Sequence, residues 1–176
     1  MNVKNTDVEK QEEAFSFLKD KLINYLFRLN TGIILKMKDS INIAIAGATG
    51  YIGLELIKIL SKHPKAKILY LCATKSLGKP INYFDTKIKN KKLPKISKIE
   101  KIKWELIDVL FTALPNGEAH KIAKALPSKI KLIDLSADFR LTNPKIYKKW
   151  YGIKHKSTKL IPKSIYAITE FSKKKL

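Results

Sequence analysis

Residues 41–53 read Ile-Asn-Ile-Ala-Ile-Ala-Gly-Ala-Thr-Gly-Tyr-Ile-Gly, and this stretch decides the fold. The apolar run is typical of a buried strand, and the glycines that follow mark a turn into a helix. In such a unit the first glycine permits a tight turn, the second lets the backbone approach a pyrophosphate, and the third lets the helix pack close to the strand. The helix N-terminus adds N–H groups and a positive dipole end. The stretch therefore predicts a site for a phosphate-bearing cofactor, formed by Gly47, Ala48, Thr49, Gly50, Tyr51, Ile52 and Gly53.

Strand-like and helix-like segments alternate after this turn. An apolar succession at 67–73 predicts a second strand, and the lysine-rich stretch from there to about residue 100 is predicted to be irregular. Alternation of this kind implies an α/β fold with a Rossmann-like, doubly wound parallel sheet. The remaining predicted elements are strands at 108–114 and 131–136, a helix capped by Asn116-Gly117 that runs to about Leu126, and a short helix opened by Asn143-Pro144.

The chain divides into three predicted regions. Residues 1–37 form a helical extension whose apolar stripe must face the domain, a partner or a membrane surface. Residues 38–150 form the cofactor-binding domain, and residues 151–176 begin a second α+β domain. Apolar residues of this last region, such as Ile161, Ile165 and Tyr166, are expected to lack a covering layer. The stripe of the extension consists of Phe15, Leu18, Leu22, Leu26 and Leu29.

Composition excludes several classes of protein. The net charge of +21 invites a nucleic-acid role, but only Arg28 and Arg140 among the 36 basic residues are arginines. Groove-reading surfaces favour arginine for its bidentate contacts, so we expect no nucleic-acid partner. No stretch approaches the ~20 apolar residues that span a bilayer, and the first residues show no secretory signal. With Cys72 as the one cysteine, the sequence favours a cytoplasmic protein without a membrane partner.

The end of the second predicted strand indicates which dinucleotide binds. An NAD site places a carboxylate here to bind the ribose 2′-hydroxyl, but residues 73–76 read Ala-Thr-Lys-Ser. A lysine between two hydroxyls suits a 2′-phosphate instead. The sequence therefore favours NADP, held by Thr74, Lys75 and Ser76. The alternative is that Lys75 is one more surface lysine.

Several strings resemble the N-acetyl-γ-glutamyl-phosphate reductases of arginine biosynthesis, relatives of aspartate-semialdehyde dehydrogenase. The most specific is Asp-Leu-Ser-Ala-Asp-Phe-Arg at 134–140. The resemblance covers about four-fifths of the chain and omits the N-terminal extension. Its other strings are the glycine turn at 47–53, Ala-Leu-Pro-Asn-Gly at 113–117, Tyr-Lys-Lys-Trp-Tyr-Gly at 147–152 with His155, and Tyr-Ala-Ile-Thr-Glu at 166–170.

The resemblance implies an oxidoreductase that reduces an acyl phosphate to an aldehyde with NADPH and releases phosphate. A cysteine thiolate of the family attacks the substrate to form a thioester, a histidine serves as acid/base, and homo-oligomers are expected. It also implies that Leu114 and Pro115 contact the cofactor. The family's cysteine belongs to a segment beyond the match to residues 166–170, and this sequence ends at Leu176 before reaching it. We therefore expect no catalytic residue and no metal site in this chain, and Cys72 to be a small buried hydrophobe.

Arg140 and Ser136 are the candidate substrate-binding residues. A guanidinium in a chain that otherwise uses lysine suggests that its fork geometry holds a carboxylate or phosphate. The alternative is an ion pair with Asp138 or Asp134 that shapes the loop. Of the histidines, His120 is expected to have a structural or surface role, and for His155 an approach to the active site stays open.

Three functions remain open from the sequence. The first is the NADP-binding part of an acyl-phosphate reductase, the second is a dinucleotide-binding module without chemistry, and the third is a lysine-rich nucleic-acid-binding protein.

Overall fold

The computed structural model describes residues 40–167, in which strands and helices alternate. The predicted N-terminal helix lies outside these residues, as does the chain after residue 167. The strands are β1 (Ile41–Ala46), β2 (Ala66–Cys72), β3 (Ile96–Ser97), β4 (Val109–Thr112) and β5 (Lys131–Asp134). The α-helices are α1 (Tyr51–Leu60), α2 (Ala119–Ala125) and α3 (Pro144–Tyr151), and short 3₁₀ helices occupy Ile81–Tyr83, Ile99–Lys101, Trp104–Leu106 and Thr158–Lys163.

The five strands form one parallel sheet in the order β3-β2-β1-β4-β5. The order reverses beside β1, which lies at the centre, as in doubly wound dinucleotide-binding folds. All four residues of β4 and all but Asn42 in β1 are buried, as expected for central strands of a parallel sheet. The predicted α/β, Rossmann-like sheet is therefore confirmed.

Local sequence explains the helices that flank the sheet. Helix α1 buries Gly53, Leu56, Ile57 and Leu60, which recur at helical spacing. Helix α3 begins as predicted, because Asn143 Oδ1 accepts the N–H groups of Lys145 and Ile146 at 2.8 and 3.3 Å. It ends at Gly152, whose φ of 70° is the left-handed conformation typical of a helix C-terminus.

Three sequence-based expectations need correction. The stretch before residue 100 is not wholly irregular, because Ile96 and Ser97 pair with Leu71 and Cys72 to add β3 to the sheet. Asn116-Gly117 does not cap α2, which begins at Ala119. Ile161 is buried, whereas Ile165 and Tyr166 are about half exposed as expected.

The side chain of Asp138 ties three segments together. Its carboxylate accepts the Gly117 N–H at 2.7 Å, the His120 N–H at 3.0 Å and the Tyr147 hydroxyl at 2.6 Å. The His120 N–H lies in the first turn of α2, so Asp138 accepts an N–H that a local cap would otherwise accept. Burial alone would raise the pKa of the Asp138 carboxyl, but these donors outweigh it, and the pKa lies below its ordinary value. Asp138 thus joins the turn after β4 to the loop after β5 and to α3.

Two buried histidines complete this cluster. His155 Nε2 lies 2.9 Å from the Asp138 carbonyl oxygen, and His155 Nδ1 accepts the Ser157 N–H at 3.1 Å. His120 Nδ1 accepts the Lys156 N–H, whereas its Nε2 has no hydrogen-bond partner among residues 40–167. Burial lowers the pKa of His120. Both rings are therefore packed inside the cluster, and His155 is directed toward the Asp138 carbonyl.

Asp138→Asn should lower the free energy of unfolding at pH 7 by about 2–4 kcal/mol, because an amide cannot accept all three donors. The folded-state pKa is depressed, so the carboxylate's contribution is present above the unfolded pKa of ~3.9 and is lost as pH falls through the folded pKa. Urea unfolding should therefore show a wild-type advantage that shrinks below about pH 4. Asp85→Asn, which removes a partly buried carboxylate bound to Lys58 near the surface, is the control and should cost less than about 1 kcal/mol. Equal losses in the two variants would contradict this role.

Candidate functional site

The register of the sheet places five strand ends in one row. Ala46 pairs with Cys72 on one side and Thr112 on the other, Cys72 pairs with Ser97, and Thr112 pairs with Asp134. All strands are parallel, so the segments that follow these residues leave the sheet at the same edge. Ligands of open α/β sheets bind at this carboxyl edge, where the strand order reverses. Every predicted site residue lies in a segment that begins there.

The turn after β1 depends on contacts that exclude side chains. Gly47 has a φ of 85°, and a Cβ there would lie 2.1 Å from the Ala113 carbonyl oxygen. A Cβ on Gly53 would lie 2.2 Å from the Gly47 oxygen. The N–H groups of Gly47 and Ala48 both donate to the Cys72 carbonyl, at 2.9 and 3.0 Å. The first and third glycines are therefore required by the packing of strand, turn and helix.

Gly50 is different, because the fold does not require it. A Cβ on Gly50 would lie 3.4 Å from the Gly47 oxygen, which is ordinary contact, and Gly50 is exposed with φ −78°. It is the N-cap residue of α1 and provides no side-chain hydrogen bond to the first turn, in which N–H groups lack helical partners. Tyr51 and Ile52 are exposed beside it, at 60% and 43%. The residues present therefore fit a dinucleotide whose pyrophosphate approaches the backbone here.

Thr74, Lys75 and Ser76 follow β2 in a bend at the same edge, where Thr74 and Lys75 are exposed. Ser76 has a φ of 58°, the left-handed conformation, and Gly78 N–H donates to the Ile96 oxygen at 2.8 Å. The bend is thereby held against β3. Lys79 is engaged elsewhere, since its Nζ lies 3.7 Å from the centre of the Tyr83 ring.

Leu114 and Pro115 follow β4 beside the glycine turn. Leu114 Cδ2 would lie 3.3 Å from a Cβ on Gly47, so this side chain borders the turn directly. Pro115 is exposed, and its carbonyl accepts the Glu118 N–H. The structure therefore places Leu114 and Pro115 at the carboxyl edge of the sheet, beside the glycine turn.

The loop after β5 is organised by Asp134. Its carboxylate accepts the Thr112 hydroxyl at 2.8 Å and both the N–H and hydroxyl of Ser136, at 3.0 and 2.8 Å. Ser136 Oγ also accepts the Asp138 N–H at 3.2 Å. The Ser136 hydroxyl is therefore used within the loop, which limits what it can offer a substrate.

Arg140 forms no ion pair with Asp134 or Asp138 in the part of the chain that the structure describes. Both carboxylates are occupied by other donors. Its Nε donates to the Ser136 carbonyl at 3.2 Å, and the residue is exposed. The ion-pair interpretation is therefore wrong, and the terminal guanidinium nitrogens face no carboxylate of these residues.

Cys72 lies in the row of strand ends, but its thiol is not activated for nucleophilic attack. Its side chain is buried, and burial raises the pKa of the thiol to about 11. Its Sγ lies 3.9 Å from both Ser97 Oγ and the Lys98 carbonyl oxygen. A thiol in this state is not an activated nucleophile.

Sequence reasoning missed the residues that hold the site's loops together. Thr112 donates to Asp134, 22 residues away, and Tyr147 donates to Asp138, nine residues away. No local sequence pattern predicts such pairs. The signal that the sequence did offer was the pair of aspartates at 134 and 138. Between residues 40 and 167, no group of three His, Cys, Asp or Glu side chains could bind a metal ion. Over the same residues, every helix is too short or too polar to cross a bilayer.

Comparison with known proteins identifies relatives of the described domain. Residues 42–176 match the family described as semialdehyde dehydrogenase, NAD binding domain. The N-acetyl-gamma-glutamyl-phosphate reductase of Paracoccus denitrificans is 41% identical over 128 residues, which are 73% of this chain and 37% of that protein. The enzyme of the same name from Ehrlichia canis is 43% identical over 136 residues, covering 76% of this chain and 39% of its own length. A crystal structure of aspartate semialdehyde dehydrogenase with NADP from Candida albicans has a TM-score of 0.47 at 22% identity, covering 66% of this chain and 40% of that one.

The chain thus spans less than two fifths of the length of these two reductases. The resemblance read from the sequence strings is confirmed for the portion that is shared. A match over residues 42–176 includes the glycine turn, the row of strand ends and the loop after β5. The chain therefore belongs to the semialdehyde dehydrogenase NAD-binding-domain family.

Proposed function

We propose that this chain is the cofactor-binding part of an NADPH-dependent N-acetyl-γ-glutamyl-phosphate reductase. The reaction yields N-acetylglutamate semialdehyde and phosphate. The observation that carries the proposal is the shared carboxyl edge, where the glycine turn at 47–53 and the loop at 134–140 begin at strands β1 and β5. The identity to reductases of this name supports the choice of substrate.

Different residues of the carboxyl edge bind the cofactor and the substrate. The glycine turn and the first turn of α1 hold the pyrophosphate, and Leu114 and Pro115 border the cofactor where the loop after β4 meets Gly47. When bound, the dinucleotide supplies the hydride. Arg140 offers a planar fork of donors to the phosphate or carboxylate of a small-molecule substrate, and Ser136 holds the Arg140 side chain through its carbonyl.

The cofactor is NADP rather than NAD. No carboxylate stands at residues 73–79, where an NAD site places one for the ribose. Lys75 is exposed between two hydroxyl side chains at this point. The chain works in the cytoplasm as part of a homo-oligomer, as the family resemblance implies.

Lys75→Glu should weaken NADPH binding about tenfold and change NADH binding little, because only NADPH carries the 2′-phosphate. Titration with both cofactors, followed by nicotinamide fluorescence, measures the two dissociation constants. Lys131→Glu, at the exposed amino end of β5, makes the same charge change on the opposite edge and should alter neither. Wild-type binding of NADH as tight as that of NADPH would exclude the assignment.

Gly50→Ala should separate cofactor binding from folding. The added methyl group meets only ordinary contact in the protein, so the free energy of unfolding should change by less than about 1 kcal/mol. The added methyl group would stand where the pyrophosphate approaches the backbone, so NADPH affinity should fall about tenfold or more. Gly53→Ala is the matched comparison and should cost about 1–3 kcal/mol of stability through its clash with the Gly47 oxygen. NADPH affinity unchanged in a folded Gly50→Ala variant would contradict the placement of the pyrophosphate.

A dinucleotide-binding module without chemistry is the second candidate, and the state of Cys72 favours it. This one cysteine is buried with a raised pKa, whereas acyl transfer needs a thiolate. In this alternative the 176 residues bind cofactor and do not turn over substrate.

The 176-residue chain should show no reduction of N-acetyl-γ-glutamyl phosphate when assayed alone, because positioning the reactants does not replace the covalent step. Oxidation of NADPH at 340 nm, with phosphate release measured in parallel, tests this. Turnover abolished by Cys72→Ser would show that the buried thiol becomes exposed and reactive. Turnover that survives this change would mean that another group performs acyl transfer.

A further inference from the structure

An open cavity of about 480 Å³ lies where β3 leaves the sheet. The bend after β2 contributes Leu77 and Gly78 to its lining, and the segment from the end of β3 onward contributes Ser97, Lys98 and Lys101. Neither the glycine turn nor the loop after β5 takes part in this lining. The cavity is thus a separate feature of the same carboxyl edge.

Hydrogen bonds fix Lys98 beside the bend that carries Lys75. Ala73 N–H donates to the Ser97 carbonyl at 3.1 Å, so the residue before Thr74 contacts the residue before Lys98. Neighbouring strands lie about 4.8 Å apart. Lys75 and Lys98 therefore follow adjacent parallel strand ends and leave the sheet in the same direction.

The lysines at this point are not neutralised by ion pairs. Among residues 40–167, Lys58 and Lys121 are the lysines held by carboxylates, and Lys98 and Lys101 are both exposed and outside these pairs. Glu100 is the carboxylate that stands between them in the sequence. A concave surface with two such cations attracts a phosphate.

We propose that Lys98 and Lys101 bind the 2′-phosphate of NADP together with Lys75. The inference rests on the proposed function and extends it, because it assigns NADP specificity to two neighbouring strand ends instead of one. The bend after β2 carries Lys75 between two hydroxyl side chains, and the segment after β3 adds Lys98 and Lys101, which line the adjoining cavity. A phosphate monoester with a charge near −2 matches such a set better than a single lysine does.

Dissociation constants of NADPH and NADH for Lys98→Glu and Lys101→Glu test this proposal. NADPH binding should weaken about tenfold in Lys98→Glu and less in Lys101→Glu, whereas NADH binding should stay within about twofold of wild type. Lys67→Glu is the matched control, because Lys67 is exposed near the amino end of β2, and it should leave both constants within about twofold. Should a glutamate variant fail to fold, Lys98→Gln should still weaken NADPH binding about threefold.

Two nucleotide fragments identify which phosphate the lysines bind. Competition by 2′-AMP should weaken in Lys98→Glu while competition by 5′-AMP does not; weakening of both would mean a general attraction of anions and overturn the assignment. An NADPH preference that is unchanged in both glutamate variants overturns this inference alone. Equal binding of NADPH and NADH by the wild type would instead contradict the proposed function and this inference together.

Discussion

The parallel register around β1 is the constraint on which the rest of the structure depends. Ala46 pairs with Cys72 and with Thr112, and these pairs extend to Ser97 and Asp134 at the outer strands. The pairing of β1 with β2 shifts by one residue between Ile43 and Ala44, and the register that follows this shift is kept to the carboxyl edge. Because the register holds, five connecting segments begin side by side, and each adds a different group to one edge. The glycine turn is only the central member of this row.

A buried carboxylate keeps two of those segments in place. Asp138 is fully buried and receives three hydrogen bonds, and burial of a charge is tolerated only when its partners are well placed. Its donors come from the turn after β4, from α2 and from α3, so these segments and the loop after β5 form one unit. Arg140 is attached to this unit through the Ser136 carbonyl. The Arg140 side chain is therefore attached to the loop through its Nε, and the residue is exposed.

Charge and burial give the two sides of the edge different chemistry. On the β3 side, exposed lysines follow β2 and β3, and the surroundings suit the phosphate of a nucleotide. On the β5 side, Asp134 and the buried Asp138 accept the hydrogen bonds that organise the loops. Cys72 lies between lysine-bearing segments, yet burial keeps its thiol protonated. The chain represents less than two fifths of the length of its reductase relatives.

The sequence by itself determined the elements whose cause is local. The spacing of Gly47, Gly50 and Gly53 after an apolar run predicted the strand, turn and helix, and Gly53 meets a local steric need because a Cβ there would clash with the Gly47 oxygen. Asn143 and Pro144 predicted the start of α3, whose cause is likewise local. The apolar run at 131–136 predicted that residues 136–140 follow the carboxyl end of a strand, as they do after β5.

Only the tertiary structure decided the features that depend on distant partners. Two residues are too short a run for β3 to show a pattern, and it exists because β2 offers an edge to pair with. The His120 N–H in the first turn of α2 goes to Asp138, 18 residues away, in place of the predicted local cap. The sequence left open whether Arg140 pairs with Asp134 or Asp138. The donors that occupy these two carboxylates come from other elements of the fold, so the sequence near Arg140 does not show them. Hydrogen bonds across such separations depend on the sheet, which brings the strand ends together. The local spacing of residues therefore does not predict them.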